Sequence, residues 1–589
     1  MKKEHQWRYL IIGVLFAVMG VVIVLQILRL QYSEKAQELL VYEDPWIEKT
    51  IYPTRGQIYD RWGHLLAGNH KVYEIGLELR EIETPEDAMA IANAISIYIG
   101  TDKQFVFQQA SVPFVDKEQV YMVVDDFVSA DKVQALEEYI KQYKESVAGD
   151  SDKPSLDAIV TSAHLERSYP ENDLASNLIG FVSRRDRLGY FGVEEYYHDA
   201  LAGEPQTILV TNDPSMVAEV PDIPPGSSLV LTIDREIQAM AEEVLDQAVE
   251  QMGAETGTIG IMDPRTGEIL ALATTPRWNL NEYWQYDQRE FPNRGVGYPY
   301  ETGSVFKVLT MAAALDEGVV EPNTTFVDQG IIEVGGIYIR NWTNVAHGPV
   351  TMTECMQLSL NVCLAHLGLE LGPPTFYSYL QNFGIGKGTG VDLAGEVTGI
   401  YRDTSHPDWY WADLGTNSFG QGVSSTVVQM LKATSAIAND GEMVQPHIVK
   451  AMVTDGKQHP ITVLPAGSPI SGETAHTLTN MLYVSLQEES SDALVSGYSV
   501  AGKTGTGEIA TDEGYTLEIT NASFVGWGPT DDPKFLVYVW LEKPTTSIWG
   551  SKTAAPVFAR VVERLVVLMN IPPDDQRLAI EGIQPEVQE

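Results

Sequence analysis

The chain is 589 residues long and 44% hydrophobic, which rules out a disordered or fibrous protein and suggests roughly three to four domains. Lys and Arg number 39 against 81 Asp and Glu, a formal charge of −42, and no long stretch supplies the basic face that phosphates require. Nucleic acid is therefore excluded as a partner, and the acidity reads as solubility and self-repulsion.

The first element is a membrane span. From Tyr9 to Leu28 the residues read YLIIGVLFAVMGVVIVLQIL, with Gln26 the only strongly polar one. Twenty residues at 1.5 Å each give about 30 Å, the thickness of a bilayer core. A signal peptide would have a shorter apolar run, of about 7–15 residues, and a small-residue cleavage pattern. The following ILRLQYSEKAQ has none. Lys2, Lys3 and Arg8 precede the span, so residues 1–8 are expected in the cytoplasm, 9–28 as an uncleaved anchor, and the remainder outside. Arg29 and Lys35 on the far side make the charge asymmetry modest.

Residues 29–50 read as a polar stalk and 51–220 as a first extracytoplasmic module. The module holds RGQIYDRWGHLLA (Arg55 to Ala67), a helical patch from Asp131 to Tyr143, and RSYPENDLASNLIGFV (Arg167 to Val182). Four prolines between Pro214 and Pro225 mark its end. A larger domain over 225–570 follows, and 571–589 reads as a mobile acidic tail.

In that larger domain Leu229 to Ile233 is β-prone and Asp234 can cap the next helix. Ile237, Ala241, Val244, Leu245, Ala248 and Met252 then recur at helical spacing. TIGIMDP and GEILALA flank a turn at Pro264 to Gly267, and ASFVGW and KFLVYVWLE flank another, two hairpins in all. A closing helix runs from about Pro556 to Met569. Strands, many helices, then strands and a helix predict an α+β domain with a largely antiparallel sheet.

Three short motifs carry chemistry. Ser304 and Lys307 lie three apart at the start of an apolar helix that ends near Gly318, so hydroxyl and amine share a face. Burial disfavours a charged lysine, and a neutral amine can take the serine proton. The positive end of the helix would favour an oxyanion there. Ser359-Leu360-Asn361 lies 55 residues downstream in a stretch read as helical, and offers a hydroxyl for proton relay and an amide for a substrate. Lys503-Thr504-Gly505-Thr506 falls on a predicted strand whose edge can pair with an extended peptide. Gly505 would let that peptide approach, and Lys503 with the threonines would receive a carboxylate. Cys355 and Cys363, eight apart, would be about 12 Å apart on one continuous helix and so two buried thiols; a turn between them would make a bridge conceivable. No HExxH, CxxC or His-rich tract is present, so no metal or cofactor is expected.

The order and placement of the three motifs match penicillin-recognising serine enzymes. The chain resembles a class B penicillin-binding protein of the division (septal) type more than the elongation type. The likeness also rests on RGQIYDRWGHLLA, GVEEYY, LTIDREIQ, MDPRTGEILALA, NRGVGYPYETGSVFK, FGIGKGTGVDLAGEVTG, SFGQG and ASFVGW. It covers about 50–70, 165–205 and 225–570; residues 71–160 fall where the family's pedestal varies. The resemblance implies an elongated pedestal, or dimerisation-like, domain and a transpeptidase domain of serine β-lactamase-like fold.

It also implies a D,D-transpeptidase that cross-links peptidoglycan stem peptides. Ser304 would attack the D-Ala–D-Ala amide, Lys307 act as base, and Ser359 and Asn361 assist proton transfer and orient the donor. Lys503 and Thr504 would bind the terminal carboxylate or assist relay, and the backbone N–H groups of Ser304 and Thr506 would form the oxyanion hole. β-Lactams would acylate Ser304, and a polytopic SEDS-type glycosyltransferase would be the partner in the membrane. Two departures stand out: Thr302 where the family often has proline, and Leu360 where it usually has a small residue. The alternatives are a D,D-carboxypeptidase or β-lactamase, in which water replaces the amine; a β-lactam sensor, which eight cytoplasmic residues hardly serve; and a silent division scaffold.

Overall fold

The computed structural model describes residues 6–31, 46–115, 119–148, 153–211, 223–489, 491–511 and 514–581. These fall into two compact units. One takes in the described residues up to Pro53 and from Gly203 to Pro225, and the other Thr54–Ala202 with those from Gly226 on.

In the first unit a helix spans Gln6–Gln31, and its stretch Ile11–Arg29 has a mean hydropathy of 2.9. Large apolar side chains are exposed all round it, as suits a helix surrounded by lipid. The expected stalk needs correction at its far end. Trp46–Ile51 is a strand, paired antiparallel with Gln206–Thr211 from Trp46↔Thr211 to Ile51↔Gln206. The partner segment QTILVT is rich in β-branched residues, which favour an extended ladder. Residues 32–45 of the stalk, and Pro214 and Pro221 of the boundary, lie outside the described residues.

In the second unit the strand Leu65–Glu78 pairs with Tyr121–Ser129 and Ile159–Ser168, and helices including Pro85–Tyr98 and Ala130–Ser146 cover it. The last contains the predicted Asp131 to Tyr143. Below it, Glu194 is fully buried between two arginines: Arg55 Nε donates to Oε2 at 2.8 Å and Arg167 Nε to Oε1 at 2.7 Å. Burial alone would raise this carboxyl, but Arg167 and Arg55 overcome it and hold it below its ordinary value. A seven-stranded sheet joins this region to the chain beyond Gly226, because Ile58 and Tyr59 pair parallel with Leu229 and Val230.

The rest centres on a five-stranded sheet, with two-stranded ribbons beside it. In chain order its elements are α1 (Arg235–Met252), β1 (Thr256–Met262), β2 (Ile269–Thr274), α2 (Lys307–Asp316), α3 (Met352–Gln357) and α4 (Asn361–Asn382). Then come α5 (Val427–Ala438), β3 (Ala501–Thr511), β4 (Gly514–Gly528), β5 (Phe535–Glu542) and α6 (Ala554–Leu568). The strands run antiparallel in the order β2-β1-β5-β4-β3, which leaves β3 at an edge. Asp234 caps α1 by accepting from the Glu236 and Ile237 N–H groups, as the sequence predicts.

Period-two alternation gives each face its own core. Phe535, Val537, Val539 and Leu541 of β5 pack with α1 and α6, while Leu536, Tyr538 and Trp540 face α2 and α5. The tail expectation also needs correction. Asp574–Glu581 is a helix, and Arg577 is held by Asp531 and Asp574, so only residues 582–589 lie outside the described residues.

Glu242 of α1 is a buried carboxyl. It accepts from the Ala175 N–H and the Gln238 amide, both at 2.8 Å, beside Arg277. Burial outweighs these contacts and pushes it up to about 7. A carboxyl raised on folding stabilises the native state below its unfolded value, and that contribution disappears as pH rises through the folded value. The unfolding midpoint of the detergent-solubilised chain is therefore expected to fall between about pH 4.5 and 7 by an amount that Glu242→Gln removes. Paired thermal scans of the two proteins across that interval check this.

Candidate active site

Tyr300 fixes the approach to Ser304. Its ring stacks on Trp540 with centroids 4.2 Å apart, and its hydroxyl lies 2.7 Å from Ser523 Oγ and 2.8 Å from Tyr538 Oη. The chain then turns through Gly303, whose φ of +58° favours glycine; a Cβ there would lie 2.4 Å from the Thr506 carbonyl oxygen. Gly303–Phe306 forms a 3₁₀ turn and α2 begins at Lys307, so Ser304 precedes the α-helix instead of opening it. The helical sense is continuous, and the half-buried Ser304 sits one turn before a fully buried Lys307. Thr302 adopts φ −75°, the geometry proline imposes, and its buried hydroxyl has no partner among the described residues.

Lys307 Nζ donates to Ser359 O at 2.7 Å, to Ser359 Oγ at 3.1 Å and to Asn361 Oδ1 at 2.8 Å. Asn361 also donates to the Arg340 carbonyl at 3.1 Å. The stretch around Ser359 is not one helix, as its sequence suggests. Ser359 takes a left-handed φ of +52°, and the chain breaks between α3 and α4. The break brings Cys355 and Cys363 to a Cα separation of 6.2 Å, and they form a disulfide. Two thiols on a continuous helix are thus corrected to a bridge that brackets Ser359 to Asn361. Leu360 is fully buried in the main core, so its bulk is accommodated.

The edge strand β3 lies against the turn that carries Ser304, and alternate residues face opposite sides. Gly505 faces Thr302 and Val305: a Cβ there would lie 2.6 Å from the Thr302 carbonyl oxygen. It admits the turn that carries Ser304 and not a substrate backbone, as the sequence reading supposed. Lys503 is 2% exposed, with Nζ 3.2 Å from Thr504 Oγ1. Thr504, Thr506 and Glu508 line the opposite side, on a cavity of about 590 Å³ that also holds Ser304, Ser359 and Asn361.

Three segments distant in sequence complete that cavity. Trp342 and Trp549 pack with centroids 5.0 Å apart, and Tyr338 and Arg340 come from the hairpin Ile331–Arg340. Gln421, within SFGQG, donates to Glu508 Oε2 at 3.2 Å. Burial pushes the Glu508 carboxyl up, and the bond from Gln421 opposes it. Sequence reading missed these residues. SFGQG was the one signal for Gln421, and nothing local marks the two tryptophans. A second cavity, of about 600 Å³, has its Arg265 and Lys450 paired with Asp532 and Glu268.

Comparison with known proteins agrees with this geometry. Residues 257–563 match the penicillin-binding protein transpeptidase domain, and residues 50–225 match the penicillin-binding protein dimerisation domain. Stage V sporulation protein D of Bacillus subtilis is 32% identical over 548 residues, covering 90% of this chain and 81% of that protein. A peptidoglycan D,D-transpeptidase FtsI homolog of Mesostigma viride is 26% identical over 468 residues, covering 73% and 77%. The structure of penicillin binding protein 2X from Streptococcus thermophilus superposes with a TM-score of 0.72 at 24% identity, covering 89% of this chain and 80% of that one, a likeness of fold. With a matching domain over half its length and a sequence relative along most of it, this chain belongs to the class B penicillin-binding proteins.

Proposed function

We propose that this protein cross-links peptidoglycan stem peptides as a D,D-transpeptidase through an acyl-enzyme on Ser304, in septal wall synthesis. The observation that carries the reading is Lys307, fully buried one turn after Ser304 and held by Ser359 and Asn361 at 2.7–3.1 Å. Ser304 Oγ attacks the carbonyl carbon of the penultimate D-Ala while Lys307 Nζ takes its proton. Ser359 passes that proton to the leaving D-Ala nitrogen, and an amine of a neighbouring stem then releases the acyl group. Asn361 has a second N–H to offer the donor carbonyl, Thr504 holds the terminal carboxylate with Lys503 behind its hydroxyl to assist proton relay, and the N–H groups of Ser304 and Thr506 stabilise the oxyanion. β-Lactams acylate the same serine.

The domain borders proposed are 51–220 for the pedestal and 225–570 for the transpeptidase, with the catalytic part outside the membrane and residues 1–8 inside. A SEDS-type glycosyltransferase is the proposed partner. Likeness to a stage V sporulation protein favours a second setting for the same chemistry, the wall of the developing spore. Depletion separates the two: filamentous cells indicate septal work, and normal division with defective spores indicates the other.

The chemistry itself is tested on the detergent-solubilised full chain incubated with benzylpenicillin. Intact mass should show one adduct, mapped to Ser304 and absent in Ser304→Ala. Turnover of a donor peptide with an added amine should then yield the aminolysis product. An adduct without aminolysis would favour a carboxypeptidase or β-lactamase, and no adduct on folded protein would favour a scaffold.

A further inference from the structure

Deacylation by an amine poses a problem that acylation does not. A primary alkylamine is an ammonium ion near pH 7 and must lose a proton before its nitrogen can attack. Glu508 is the one carboxylate among the described residues lining the cavity, where Arg340 supplies positive charge and Lys552 is paired outside it with Asp492 at 2.8 Å. It follows Thr504 and Thr506 on the same side of β3, so it continues the row that faces Ser304's cavity. The carboxylate is half-buried, so an ion pair formed there is less screened than one on the open surface. Gln421 reaches it from the opposite wall, and a Cβ on neighbouring Gly420 would lie 2.2 Å from the Gly303 carbonyl oxygen. The loop that orients Glu508 is therefore packed against the turn that carries the nucleophile.

We propose that Glu508 receives the ammonium group of the acceptor stem peptide and takes its proton, with Gln421 holding the carboxylate in place. The inference rests on the transpeptidase reading and names the group that selects the acceptor. One ammonium proton passes to the Glu508 carboxylate, and the freed lone pair forms the C–N bond to the acyl carbon. The C–Oγ bond to Ser304 breaks, and a second nitrogen proton reaches Ser304 Oγ through Lys307. An ammonium, a carboxylate and an ester become an amide, a carboxylic acid and a free serine, and the acid returns its proton to water. The acceptor class is a primary alkylammonium on a neighbouring stem.

The test uses the detergent-solubilised full chain as the unaltered protein, Glu508→Gln and Glu508→Asp. Each is acylated by a thioester analogue of the donor peptide at pH 7, and the acyl-enzyme is partitioned between water and an added nucleophile. Nα-acetyl-L-lysine supplies an alkylammonium, and hydroxylamine a nucleophile that is uncharged at this pH. Glu508→Gln should lower the aminolysis-to-hydrolysis ratio with the lysine at least about tenfold and the ratio with hydroxylamine less than about twofold. Glu508→Asp should restore part of the loss. Equal losses for the two nucleophiles, or no loss with the lysine, overturn the assignment. Failure of the unaltered protein to form an acyl-enzyme overturns the transpeptidase reading and this inference with it.

Discussion

Lys307→Met should lower the rate constant for acylation by benzylpenicillin by about 10³, within the 10²–10⁴ that a positioned general base supplies. Methionine keeps the length of the apolar stem and removes the amine proposed to accept the Ser304 proton. Two lysines are buried at this site, and they reach it from different elements. Lys307 reaches Ser359 and Asn361 from the helix that follows the nucleophile, whereas Lys503 sits on β3 beside Thr504. If Lys503 were the base, Lys307→Met would retain acylation within about tenfold and Lys503→Met would abolish it. Arginine cannot stand in, because it keeps its charge and its planar fork does not fit a pocket built for one nitrogen. Stopped-flow acylation followed by intact mass distinguishes these results.

Glu194→Gln should cost about 3–5 kcal/mol, because it leaves Arg55 and Arg167 without the buried charge that compensates them. Glutamine preserves shape, so the loss measures charge and not a cavity. A fall of the unfolding midpoint by roughly 2.5–5 °C in the detergent-solubilised chain is expected. A shift below about 2 °C would falsify the view that this carboxylate holds the two arginines. The same geometry sets its pH dependence. A carboxyl held below its ordinary value stabilises above pH 4.5, and its contribution is lost as pH falls through the lower folded value. Its sign is thus opposite to that of Glu242, whose contribution disappears as pH rises.

What could be read from sequence was what is local. Phe535 to Glu542 shows its strand because alternate residues face two different cores, and α1 shows its register because one stripe packs on the sheet. Ser304 and Lys307 are legible as a pair because one turn of helix brings i and i+3 together. The bridge between Cys355 and Cys363 was not, since it depends on Ser359 entering a left-handed conformation that breaks an otherwise helical stretch. Gly505 was assigned to the wrong neighbour for a similar reason. A glycine announces close approach without saying from which side, and the nucleophile turn is the one that approaches. Glu508, Gln421, Trp342 and Trp549 meet only in the folded cavity, across separations that carry no period.

The pairing of Ile58 and Tyr59 with Leu229 and Val230 changes how the two homologous segments should be regarded. They are woven into a single fabric by backbone hydrogen bonds, so the seam between 225 and 226 is not a place to cut. Severing it would strip a neighbour from the strand Ser228–Leu231 and bare an edge that invites strangers.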